Sequence, residues 1–137
     1  YTGIRNYAFV TSGSLPGYDD YRADSGAVCL AVMRRDGFAS LDAGDTPGTL
    51  TTRPFRLPVG RLTVNVLPGK NGRLQVDLLD KDNKTLAMSR PITTNQFRGS
   101  VEWATGDLDK LKGQTVSVRF RLRRARLYSY WFQPPVK

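Results

Sequence analysis

Residues 114–133 read Gln-Thr-Val-Ser-Val-Arg-Phe-Arg-Leu-Arg-Arg-Ala-Arg-Leu-Tyr-Ser-Tyr-Trp-Phe-Gln, and the spacing of their apolar side chains decides the fold class. Val116, Val118, Phe120 and Leu122 alternate with Ser117, Arg119, Arg121 and Arg123, the period of a strand with one face on a core and the other in water. A second run, 126–133, supplies Leu127, Tyr128, Tyr130, Trp131 and Phe132. The two runs together predict a terminal hairpin, arginine-rich on its first strand and aromatic on its second. Alternation places Tyr128, Tyr130 and Phe132 on one face and Leu127, Ser129 and Trp131 on the other.

The same period recurs upstream. Leu62, Val64 and Val66 precede Pro68-Gly69-Lys70-Asn71-Gly72, and Leu74, Val76 and Leu78 follow it. Residues that tolerate positive φ between two alternating runs predict an antiparallel hairpin closed at 68–72. Further strands are expected at 27–34, 38–43, 48–56 and 100–105, with a polar turn at 80–84. A single helical turn capped by Asp107 is expected within 106–113. Helical periodicity is otherwise nearly absent, so the fold class is all-β, an antiparallel β-sandwich of about eight or more strands. A chain of 137 residues with 39% hydrophobic content fits one such module. Within 1–137, residues 27–133 form the expected sandwich core, and 1–26, rich in Gly, Ser and Tyr, an ordered loop region.

Charge is unevenly distributed. The chain carries 21 basic and 12 acidic residues, a net +9, and 114–137 holds six of the bases and none of the acids. Such a surface attracts anions, whether nucleic acid, membrane or acidic polysaccharide, and charge on a strand face also blocks edge-to-edge aggregation. With no histidine, the usual general base and commonest metal ligand are missing. The pairs Asp19/Asp20, Asp42/Asp45 and Asp107/Asp109 lie in expected turns, where aspartate satisfies backbone amides. No cofactor is expected. A structural calcium held by Asp19, Asp20 and Asp24 or by Asp42 and Asp45 remains an alternative, although their spacing fits no calcium loop. No phosphate-binding glycine motif occurs.

Cys29, the only cysteine, lies in the apolar run 27–33 and reads as a small core residue. No stretch has transmembrane length and no signal peptide is recognisable. A start at Tyr1 rather than Met reads as a processed form or a module excised from a larger protein.

Sugar rings pack their C–H faces on aromatic rings while their polar groups take hydrogen bonds from arginine. The residues that match this chemistry are Arg119, Arg121, Arg123, Tyr128 and Tyr130, with Tyr18, Tyr21 and Arg22 in the N-terminal loop. Trp103, Trp131 and Phe132 read as core or core rim ahead of a ligand platform. Nucleic acid would use the same residue types, but no RNP signature, zinc ligand set or basic recognition helix accompanies them.

Three segments taken together carry a resemblance: Met33-Arg34-Arg35-Asp36-Gly37-Phe38-Ala39-Ser40-Leu41-Asp42-Ala43-Gly44, then Gly48-Thr49-Leu50-Thr51-Thr52-Arg53-Pro54-Phe55, and the runs 118–122 and 127–132. The chain over 27–133 resembles the C-terminal β-sandwich module of secreted bacterial polysaccharide-active enzymes and propeller-type glycoside hydrolase-like proteins. The resemblance implies a jelly-roll topology, a secreted or extracellular setting, a neighbouring catalytic domain, and sugar binding or domain docking in place of catalysis. It suggests a turn at Gly37 and a backbone or ligand contact for Asp42, and brings no binding-residue motif with it. The expected function is therefore non-catalytic binding of an anionic polysaccharide, sulfated or uronic. The alternatives are a structural sandwich docking a catalytic domain and, third, a polysaccharide-cleaving enzyme or a nucleic-acid binder. No membrane partner is expected.

Overall fold

The computed structural model describes residues 7–11 and 28–135, with 7–11 and 28–31 described as backbone only. The chain divides into two compact units, Tyr1–Phe38 and Ala39–Lys137. In the first, β1 (Tyr7–Thr11) and β2 (Val28–Val32) pair antiparallel, from Tyr7 opposite Val32 to Thr11 opposite Val28. A turn at Arg34–Gly37 follows, closed by the Gly37 amide donating to the Arg34 carbonyl at 2.9 Å. A Cβ on Gly37 would lie 2.5 Å from that oxygen, which is why the turn expected there requires glycine.

The second unit is one antiparallel sheet of eight strands. In chain order they are β3 (Leu41–Ala43), β4 (Gly48–Thr51), β5 (Phe55–Arg56), β6 (Arg61–Leu79), β7 (Thr85–Ser89), β8 (Gln96–Ser100), β9 (Trp103–Thr105) and β10 (Thr115–Gln133). The one helix among the described residues, α1 (Leu108–Leu111), is capped by Asp107, whose carboxylate accepts from the Asp109 amide at 3.0 Å as the sequence predicts. The polar turn after β6 also forms: Asp80 Oδ1 accepts from the Asp82 and Lys84 amides.

The two expected hairpins do not form. Residues 61–67 and 73–79 belong to a single strand, β6, and both halves pair with β10, from Arg61 opposite Gln133 to Leu79 opposite Ser117. The run 115–123 likewise continues into 125–133. Midway the register shifts, and the four residues 69–72 of β6 stand opposite Arg124 alone. Asn71 and Arg124 take left-handed backbone, φ 57° and 46°, so the turn residues of 68–72 do their conformational work at a corner instead of a chain reversal. Gly72 is indispensable there, since a Cβ would fall 2.0 Å from the Arg124 carbonyl oxygen.

The corner folds the ladder over. Phe120 and Tyr130 are ten residues apart on one strand, about 33 Å if straight, yet their ring centroids are 4.8 Å apart. Phe55, in register with Val116, also meets Phe132 at 5.8 Å. On one side of the corner lie β9, β7, the second half of β6, the first half of β10, and β4 with β5; on the other lie β8, the remaining halves of β6 and β10, and β3. Leu62, Val64, Val66, Leu74, Val76, Leu78, Val116, Val118, Phe120, Leu122 and Leu127 share one buried cluster. The all-β, antiparallel character of the prediction is met, with eight strands in one sheet.

A second irregularity lies at Tyr128. Leu127 pairs with Val66 and Ser129 with Asn65, leaving Tyr128 as the extra residue of a bulge. The bulge resets the alternation: Leu127 is buried, and Tyr130 and Phe132 also turn toward the core side. The expected split between Leu127 and the aromatic face is thereby corrected.

Candidate functional site

The first half of β10 places Arg119, Arg121 and Arg123 on the face opposite its core residues, as alternation predicts. Their surroundings differ. Arg119 lies opposite Asp77 and Arg121 opposite Gln75. Asp77 is 1% exposed at its side chain and receives both guanidiniums: Arg119 Nε and Nη2 donate to Oδ2 at 2.9 Å, and Arg121 Nη2 donates to Oδ1 at 2.8 Å. Arg121 Nε is buried without a hydrogen-bond partner. A buried carboxylate requires such partners, so these two arginines serve the fold, although 30% and 41% of their side chains stay accessible.

Arg123 is exposed and stands opposite Arg73, also exposed. Beyond it, Arg124 at the corner donates to Asp45, and its amide donates to the Gly44 carbonyl at 2.8 Å. The side-chain hydrogen bond from Arg124, followed by the Arg124 charge, holds the Asp45 carboxyl below its ordinary value and raises the Arg124 guanidinium in turn. Asp42 accepts from Ser40 Oγ at 2.5 Å and pairs with Arg126 at 3.3 Å. Of the carboxylates weighed for calcium, Asp42 and Asp45 are therefore engaged by arginine. Among the described residues no group of three or more potential metal ligands assembles.

Tyr128 and Tyr130 line a half-open groove of about 390 Å³ together with Ala39, Ser40, Leu41, Leu50, Leu127 and Ser129. It lies where β3 and β4 each pair with a different half of β10. Tyr130 is 38% exposed with its ring packed on Phe120, and Leu41 is 52% exposed. Because Phe120 points into the core while Arg119 and Arg121 point away from it, the tyrosines and those arginines occupy opposite sides of the strand. Sequence reasoning grouped them as one site, and the structure separates them.

Trp103 packs at the core rim, while Trp131 is half-buried opposite Thr63. Tyr18, Tyr21, Arg22, Asp19, Asp20 and Asp24 lie outside the described residues. Sequence reasoning missed Asp77 and Arg73. The only signal for either was a charged side chain at an outward position of an alternating strand, and its partner depends on a register that the irregular corner sets.

Among the described residues no helix is long and apolar enough to cross a membrane. The chain matches no family model, no curated protein and no solved structure.

Proposed function

We propose that the protein is a non-catalytic carbohydrate-binding module of a secreted polysaccharide-active protein, with a preference for anionic polysaccharides and a β-sandwich of jelly-roll type. The observation that carries this reading is the groove of Tyr128 and Tyr130. Two phenol rings, the Ser40 and Ser129 hydroxyls and the side chains of Leu41, Leu50 and Leu127 line it together, offering the apolar surface and hydrogen-bonding groups that a sugar ring requires. The excess of guanidiniums on the opposite face of the strand favours acidic chains and accelerates their encounter. Catalysis finds little support among the described residues: Asp42, Asp45 and Asp77 each carry an arginine partner, and the chain has no histidine.

Affinity electrophoresis of the full chain through gels containing alginate, fucoidan, carrageenan or pectin tests the proposal. Retardation by at least one at low salt, weakening as salt screens the charges, is the expected result. Migration unchanged by all four would overturn it. The alternative of a docking sandwich predicts that outcome together with a loss of thermal stability when this segment is deleted from the longer protein.

A further inference from the structure

The outer face of β10 has two ends with different electrostatics. At one, Asp77 takes up Arg119 and Arg121. At the other, Arg73 and Arg123 stand directly across the strand pair from each other. Neither side chain makes a hydrogen bond or ion pair with any described residue, and both residues are exposed. The carboxylate that feels Arg123, Asp45, is already hydrogen-bonded by Arg124. Like charges directly opposite one another destabilise a sheet, and this pair occupies the last rung before the corner, where Gly72 packs on the Arg124 carbonyl and holds the register.

We propose that Arg73 and Arg123 form a two-armed site for one oxyanion of a polysaccharide, a sulfate ester or a uronate carboxylate, bound between the guanidiniums. This rests on the carbohydrate reading and names the charged group of its ligand. Facing Cβ atoms in such a pair lie about 4.5–5.5 Å apart, within the reach of both forks. Each guanidinium presents several donors in one plane, so an oxygen-rich anion takes charge-assisted bonds from two sides and turns the repulsion into attraction. The neighbouring outward positions, Thr49, Thr51, Gln75 and Asp77, carry no aromatic ring on which a nucleobase could stack, so this face lacks the stacking platform of a single-strand binder and offers contact to the charged group alone.

The test is NMR of the arginine Nε–Hε signals in the 15N-labelled full chain. Sodium sulfate and sodium acetate are titrated separately at constant ionic strength, with R73Q and R123Q assigning the signals. Saturable shifts at Arg73 and Arg123, with Arg119 and Arg121 unmoved and sulfate affinity lowered about tenfold in R73Q, are expected; the anion that saturates first identifies sulfate ester or carboxylate as the preferred group. Linear shifts at every arginine, or larger shifts at Arg119 and Arg121, would overturn the site. Tighter binding of oligothymidylate than of a sulfated oligosaccharide of equal charge would overturn its assignment to polysaccharide. Saturable sulfate binding by a chain that no polysaccharide retards would support the arginine pair while refuting the carbohydrate reading.

Discussion

The two halves of β10 share one strand and one partner, yet they use the same residue types differently. From 115 to 123 the alternation is unbroken, core residues point one way, and the arginines point the other, two of them fastened to a single buried carboxylate. From 125 to 133 the corner at Arg124 and the bulge at Tyr128 break the period, and aromatic side chains come to lie at the rim of a groove. The regular stretch, with two arginines fastened to one buried carboxylate, builds the fold. An irregular one displaces side chains into positions where a ligand can reach them.

The comparison can be broken most forcefully at Phe120, where the halves touch. Phe120→Ala removes a fully buried ring from the core and from Tyr130, and is expected to cost about 3–5 kcal/mol in urea unfolding. A cost near that of an exposed substitution would mean that the halves do not share a core. Asp77→Ala leaves two guanidiniums without their carboxylate, and the expected cost is about 2–3 kcal/mol. That is less than a fully buried pair would lose, because Arg119 and Arg121 retain access to water. If Asp77→Ala instead left stability unchanged, the first half would not be the structural one. Gly72→Ala drives a methyl into the Arg124 carbonyl and should cost about 1–3 kcal/mol, with the largest amide shifts at the corner and not at the strand ends.

The smallest effect belongs to Asp45. Its folded carboxyl is held below the ordinary value of 3.8, first by the Arg124 hydrogen bond. It therefore contributes stability above that value, and the contribution is lost as pH falls through the lower, folded one. Thermal melts from pH 5 down to pH 2 should show a slightly steeper acid-side decline in the wild type than in Asp45→Asn. Superimposable curves would mean that the pair is not formed in solution.

Much of the regular half was legible in the sequence, because period-two alternation reports directly which side chains face the core. Asp107 as a helix cap and Asp80 as a turn former were legible for the same reason: their chemistry is local. The corner was not. Pro68-Gly69-Lys70-Asn71-Gly72 has the composition of a hairpin loop, and whether such residues reverse a strand or kink it depends on the long partner at 115–133. The candidate site suffered most. A single bulge residue, Tyr128, changes the phase of everything after it, so Tyr130 was assigned to the right residue class but to the wrong company. Asp77 and Arg73 acquire their meaning only from cross-strand register.

The account's central claim is that the aromatic contact with a ligand belongs to the irregular half of β10. Tyr130→Ala tests it most directly, compared with the wild type by affinity electrophoresis in the polysaccharide gel that retards the wild type most, after circular dichroism has shown the variant folded. The account predicts that the apparent affinity falls about tenfold, the size of one lost base- or sugar-stacking contact. Undiminished retardation of a folded Tyr130→Ala protein would contradict it.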